Sequence, residues 1–419
     1  MADDSSTDGV RAPTQSYGRQ NHLRRISRET LDLISSLPDV ILHDILSFMP
    51  TKFAIRTSLL SKRWRHIWCQ TPSLSFENCR LESPSLNEIL TRYTAPKMVK
   101  FHLHTIAMNN IPHHINRWIK LVMSRNVENL SLDLFNFAEY KFPAFFYINS
   151  SVKQLSLKFS PFDMVVPRCL VSWTSLRKLY LSSCSLSDES MAQILSGCPN
   201  LERLKLCSCN ALKILDLSKS MRLRTLEINS DTRFPGTLKI VAPYIHCLIL
   251  KSSHHLPCVL VDVSSLVEAR LNISIDSLSK TIKDDILQFM VLKMLEKLQN
   301  VEKLTFGMLS HAKLRGVPFP RFKVKSLTLD TGVFNLGILA TTWICKPLIW
   351  INVGDQNMVS FGTKPVHVVS FVELTLKNTK ALDKTVYCWN LEDHYLRFKE
   401  LVPTLSHNCN VSIALYPKR

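Results

Sequence analysis

Glycine is scarce in this chain: 10 residues in 419, where average usage would give about three times as many. Phosphate-cradling loops and dinucleotide-binding turns consume glycine, and neither G-x-G-x-x-G nor G-x-x-x-x-G-K-[ST] occurs. Nucleotide-dependent chemistry is thereby disfavoured. No apolar run approaches the roughly 18 residues of a membrane span. The N-terminal MADDSSTDGVRAPTQSYGRQNHLRR has no apolar core of the kind a secretory signal needs. Residues 1–30 read instead as a polar, disordered leader. The twelve cysteines are then expected as reduced thiols of an intracellular chain, in nucleus and/or cytoplasm. The sequons at Asn129 and Asn272 carry no meaning without export. Acidic residues are also short, 34 Asp and Glu against 52 Lys and Arg, and the net charge of +18 implies attraction to something acidic.

What is plentiful is leucine at a fixed spacing. From residue 98 the pattern apolar-x-x-apolar-x-apolar recurs, most clearly at Val127-Leu130-Leu132, Val152-Leu155-Leu157, Leu176-Leu179-Leu181, Leu201-Leu204-Leu206 and Leu223-Leu226-Ile228. Weaker copies start at Met98, Ile245, Leu266, Val301, Val324, Leu348 and Phe371. The intervals run from 21 to 29 residues with one of 35, a period that marks a leucine-rich-repeat solenoid. The expected fold class is α/β: about twelve irregular repeats over 98–380, each a strand and a return segment, with a parallel concave sheet. Helices are expected over 111–126, 185–200 and 282–300, the second capped by Ser187 and ended by Gly197. Residues 381–419 read as a C-terminal cap of one helix and one strand.

Period-2 alternation sends the residues between the leucines to the concave face. On three consecutive repeats those positions are Gln154, Ser156, Lys158; Lys178, Tyr180, Ser182; and Arg203, Lys205, Cys207. Lys158, Lys178, Tyr180, Arg203 and Lys205 should therefore form one basic, partly aromatic patch, a candidate substrate-binding surface. Cys184 and Cys209 occupy equivalent slots 25 residues apart, where the repeat turns its chain with a small buried group. A zinc site from Cys184, Cys198, Cys207 and Cys209 lacks any C-x2-C pair and any nearby histidine. His102 and His104 share a strand face without a third ligand in view, so exposed polar positions are the better reading. No cofactor, metal site or catalytic constellation is expected: there is no G-x-S-x-G elbow and no H-E-x-x-H helix.

Residues 37–68, LPDVILHDILSFMPTKFAIRTSLLSKRWRHIW, are too apolar for a free-standing helix pair. A helix is expected from Pro38 to Met49, stopped by Pro50, and a second one carrying Ile55, Leu59, Leu60, Trp64, Ile67 and Trp68. Part of that surface should be covered by a partner. Leu37-Pro38, the turn Pro50-Thr51-Lys52 and the string SLLSKRWRHIW resemble the F-box of plant F-box/leucine-rich-repeat proteins over positions 31–78. His43, Asp44 and Phe53 are small departures. The resemblance implies a substrate receptor that docks on the adaptor subunit of an SCF-type cullin–RING ubiquitin ligase, and through it on the cullin. It implies that Leu37, Pro38, Ile41, Ile45 and Leu46 face the adaptor, and that Leu60, Trp64 and Trp68 form the F-box core. Residues 79–97, with Leu81, Leu86, Ile89, Leu90 and Tyr93, read as a packed helical connection. The expected partner of the concave face is a protein substrate, acidic or phosphorylated. Two alternatives stay open: a small-ligand receptor within the same ligase, and a basic repeat scaffold that binds nucleic acid.

Overall fold

The computed structural model describes residues 34, 36–79, 83–106, 112–137, 140–160, 167, 169–209, 211–230, 238–252, 258–274, 284–310, 326–329, 386–389 and 413–416. Its spine is a parallel sheet of thirteen strands among the described residues. In order these are β1 (Ser73–Cys79), β2 (Lys100–Ile106), β3 (Asn129–Phe135), β4 (Gln154–Lys158), β5 (Lys178–Ser182), β6 (Arg203–Cys207), β8 (Thr225–Ser230), β10 (Cys247–Ser252), β12 (Glu268–Ser274), β13 (Lys303–Ser310), β14 (Ser326–Leu329), β15 (Val386–Trp389) and β16 (Ile413–Tyr416). The skipped numbers, β7 (Ile214–Asp216), β9 (Leu238–Val241) and β11 (Cys258–Asp262), are the return segments of three consecutive coils and form a second parallel sheet.

Consecutive strands pair without slippage from β3 to β12, so each leucine of one repeat stands beside its counterpart in the next. Leu155, Leu179, Leu204, Leu226, Leu248 and Ala269 make one column, and Leu157, Leu181, Leu206, Ile228, Leu250 and Leu271 the other. All twelve are buried. A single repeat has nothing to bury these side chains against, and stacking supplies it. Past β5 and β6 the chain takes a left-handed residue, Ser183 (φ 54°) and Ser208 (φ 49°). Their N–H groups donate to Cys207 O and Asn229 O, both at 2.7 Å, which extends the ladder by one residue and turns Cys184 and Cys209 inward.

The return helices close the core. Helix α5 (Pro112–Ser124) buries Ile115, Trp118, Ile119 and Val122, the face its periodicity predicts. Trp118 Nε1 donates to Asn87 Oδ1 at 2.7 Å, tying it to α4 (Ser83–Arg92). Short α6 (Ala144–Tyr147) brings Phe146 and Tyr147 against Trp173. Helix α7 (Asp188–Ser196) starts as expected at Ser187, whose Oγ accepts the Ser190 N–H at 3.1 Å. Its glycine has a different reason from the one expected. Gly197 is right-handed (φ −84°), so it is not there for conformational freedom. A Cβ at this position would lie 2.2 Å from Val171 O, because the neighbouring coil passes directly over it. Helix α8 (Asp284–Lys297) buries Met294 and Leu295, with Leu298 just beyond its end; the side chains of Ile286 and Phe289 lie outside the described residues.

The N-terminal module is α1 (Asp39–Ser47), α2 (Thr51–Arg56) and α3 (Trp64–Ile67). Pro38 and Pro50 precede the first two helices as their N-caps. The single second helix of the sequence reading is broken: a 3-10 turn at Thr57–Leu59 and non-helical residues 60–63 interrupt it, and a 3-10 turn at Trp68–Gln70 ends it. The sheet itself starts at Ser73, one coil before the first leucine pattern at Met98. Strands β15 and β16 fall where a cap was expected and continue the sheet in parallel. The leader 1–30, Leu81, the copies at Leu348 and Phe371, and the helix expected before β16 lie outside the described residues.

A Gly197→Ala variant should be destabilised by about 1–3 kcal/mol or more, because the added methyl meets backbone that cannot move alone. Urea denaturation measures this, and an unchanged midpoint would mean that the coils are not packed this closely.

Candidate functional site

Two surfaces stand out. On the N-terminal module Leu42, Leu46, Ala54, Trp64, Ile67, Trp68 and Cys69 form a small core of their own. Outside it a large apolar area meets water: Val40, Ile41, Ile45, Phe48, Leu59 and Leu60 are exposed, Phe48 by 89% and Leu59 by 87%. Exposed area of this kind marks an interaction site. Pro38, Ile41 and Ile45 lie on it, and Leu37 is half-buried at its edge. Two positions need correcting. Leu46, expected on the docking face, is 1% exposed and supports that face from beneath. Leu60, expected in the core with Trp64 and Trp68, is 68% exposed, because the 3-10 turn before it rotates it out of the helical phase. Arg63 had no role in the sequence reading beyond its place in the motif. Its guanidinium reaches Asp39 (Nε to Oδ1 2.9 Å) and Leu37 O, fastening the start of α1.

Hydrogen bonds and shared packing join this module to the sheet. Thr51 Oγ1 accepts the Ser75 N–H at 2.8 Å, and Cys69 O accepts from Thr94 and Ala95 at 2.9 and 3.1 Å. Tyr93 donates its hydroxyl to Thr71 O at 2.8 Å, and burial pushes its pKa up to about 12. Ile89 packs against both cores.

The second surface is the concave sheet. Register sets Lys178 opposite Arg203 and Tyr180 opposite Lys205, so the five expected residues do come onto neighbouring strands. The surface is less uniformly basic than they suggest. Lys205 Nζ lies 3.0 Å from Glu227 Oε1 and 5.3 Å from the Tyr180 ring centroid. Lys251 Nζ shares that same oxygen at 3.5 Å. Lys158 sits opposite Asp133 in register, 5.4 Å from the Phe135 ring centroid, while His104 is 3.7 Å from Asp133. The half-buried His102 has its pKa lowered, chiefly by burial. Glu227, Lys251 and Asp133 were not singled out from sequence, although each occupies a concave slot that the leucine register marks. Lys178 and Arg203 are both exposed, and neither meets a carboxylate among the described residues. Like charges directly opposite across two strands repel, and an anion between them relieves that repulsion.

Among the described residues no group of three or more His, Cys, Asp or Glu could hold a metal ion, and no helix is long and apolar enough to cross a membrane. The architecture is therefore that of a parallel leucine-rich-repeat solenoid carrying a small helical module with an open apolar face. Comparison with known proteins gives the same division. The F-box domain model matches residues 34–75, and the At1g61320/AtMIF1 LRR domain model matches residues 89–323. The putative F-box/LRR-repeat protein At3g18150 of Arabidopsis thaliana is 56% identical over 99% of this chain and 99% of its own. The F-box/LRR-repeat proteins At5g02910 and At3g03360 of the same plant are 44% and 43% identical, over 93% and 94% of this chain and 96% and 92% of theirs. The chain belongs to the plant F-box/LRR-repeat protein family.

Replacing Glu227 by Gln should free Lys205 and Lys251 and strengthen retention on a polyanion such as heparin, with a steeper salt dependence. Retention equal to wild type would show that these contacts do not neutralise the surface in solution.

Proposed function

We propose that this protein is the non-catalytic substrate-recognition subunit of an SCF-type cullin–RING ubiquitin ligase, acting inside the cell. The observation that carries the proposal is the exposed apolar face of the F-box, which no other part of the described chain covers. Membership of the F-box/LRR-repeat family supports an SCF adaptor as its occupant. The adaptor contacts would centre on Ile41 and Ile45, with Pro38 and Leu37 at the helix start, and Leu42 and Leu46 beneath as the packed base. The mechanism is proximity. A substrate held on the solenoid is kept at a fixed distance from the ubiquitin-loaded enzyme, so transfer becomes effectively intramolecular.

The concave surface would receive the substrate, and Lys178 with Arg203 is its anion-binding centre. An acidic or phosphorylated segment fits best: Arg203 can take a carboxylate or phosphate in a bidentate fork while Lys178 adds a point charge. Tyr180 and Lys205 extend the contact on the next row.

Two experiments test the two halves. Co-purification with the adaptor should be lost in an Ile41→Asp/Ile45→Asp variant whose far-UV spectrum stays native, since both positions are exposed. Binding that persists, or a folded wild type that captures no adaptor, would sink the ligase reading. Capture of acidic protein substrates from extract should fall at least about tenfold in Lys178→Glu/Arg203→Glu, equivalent to 1.4 kcal/mol, with adaptor binding intact. Unchanged capture would remove these two residues from the substrate site.

A further inference from the structure

The turn that ends each repeat strand brings two thiols together. Cys184 follows β5 and Cys209 follows β6 by the same left-handed step, and their Sγ atoms lie 3.5 Å apart. We propose that Cys184 and Cys209 are a peroxide-responsive dithiol that closes to a disulfide between two consecutive repeats.

The geometry suits the bond. The two cysteines lie two residues past the ends of strands paired in register, and neighbouring strands stand about 4.8 Å apart. That falls within the roughly 4.4–6.8 Å between α-carbons that a disulfide spans. The sulfurs need to approach to about 2.05 Å, a shift that side-chain rotation supplies while the ladder stays in place. The two thiols also differ in the way the chemistry needs. Cys184 is buried and Cys209 half-buried, so Cys209 is the one assigned to meet the peroxide. The neighbouring Cys184 thiol holds the Cys209 pKa below the ordinary value, and Cys209 Sγ is 3.5 Å from Leu181 O and 3.6 Å from Cys207 O. Burial does the opposite elsewhere, pushing Cys198 and Cys258 up to about 12 and raising Cys69 and Cys247.

Hydrogen peroxide is the oxidant. The Cys209 thiolate attacks one peroxide oxygen and the O–O bond breaks; Cys209 becomes a sulfenic acid and, with one proton, water leaves. Cys184 sulfur then attacks the Cys209 sulfur, the S–O bond breaks, and the departing hydroxide takes the Cys184 proton as a second water. Two thiols lose two electrons and one peroxide gains them. The bond would lock β5 to β6, the strands that carry Lys178, Tyr180, Arg203 and Lys205.

The test uses the full chain, reduced and desalted, treated with about one equivalent of hydrogen peroxide, alkylated and digested with trypsin without reductant. Cys184 and Cys209 fall in separate peptides, residues 179–203 and 206–213, so the product is a cross-linked pair whose fragmentation identifies the two cysteines. We expect a link between Cys184 and Cys209, loss of two free thiols per chain, and recovery of both with dithiothreitol. The link should vanish in Cys209→Ser and in Cys184→Ala, the latter chosen for its buried slot, and survive in Cys198→Ser and Cys207→Ser. Native circular dichroism before oxidation verifies that each variant is folded. A link through Cys198 or Cys207 instead, or Cys209 advancing to sulfinic acid with Cys184 still a thiol, would overturn the proposal.

Discussion

The parallel backbone ladder between neighbouring coils is the constraint on which everything else in this protein depends. Once strands pair in register, every position of a repeat stands beside its equivalent in the next, and the leucine columns follow. The same rule places polar residues. Lys178 and Arg203, Cys184 and Cys209, and Lys153 and Glu128 are each 25 residues apart in the chain and adjacent in space. Glu128 shows how closely the coils cooperate: its carboxylate takes Lys97 at 2.6 Å and Lys153 at 2.9 Å, and these ammonium groups hold its pKa below the usual range. That contribution is present at neutral pH and is lost as pH falls through the lowered pKa.

The F-box and the solenoid are held as one body. The first strand begins three residues after the last helical turn of the F-box, and hydrogen bonds accepted by Thr51 and Cys69 and donated by Tyr93 cross the junction. A Gly/Ser linker in that place would leave the two surfaces free to reorient. Here the hydrogen bonds and the shared packing of Ile89 tie the apolar helical face to the sheet that carries the charged concave face. The two faces differ in the physics of recognition. One offers desolvation of large side chains such as Phe48 and Leu59, the other charge and hydrogen bonding spread over several strands.

The errors of the sequence reading have identifiable causes. The resemblance sets Leu46 on the docking face, and the structure buries it, because α1 is apolar around most of its circumference and one side of it must form the module's own core. The resemblance sets Leu60 in the core, and the structure exposes it, because the expected helix is broken between the 3-10 turn at Thr57–Leu59 and Trp64. The strand at Ser73–Cys79 escaped because its apolar residues, Leu74 and Phe76, have no third partner at the repeat spacing. Gly197 does end its helix as the C-cap, but what demands glycine there is the backbone of Val171 in the adjacent coil.

By itself the sequence determined the repeat period, the inward leucines, the capped helix after Ser187 and the F-box motif, because each is a local pattern with a single geometry that satisfies it. It also determined which residues share the concave face, since alternation along a strand needs no knowledge of the neighbouring coil. The tertiary structure decided what those residues meet. That Lys205 is held by Glu227 while Lys178 and Arg203 are not, and that two sulfurs touch, depends on side-chain reach across strands. That Leu60 faces water while Trp64 is enclosed depends on a turn whose phase only the packed core fixes.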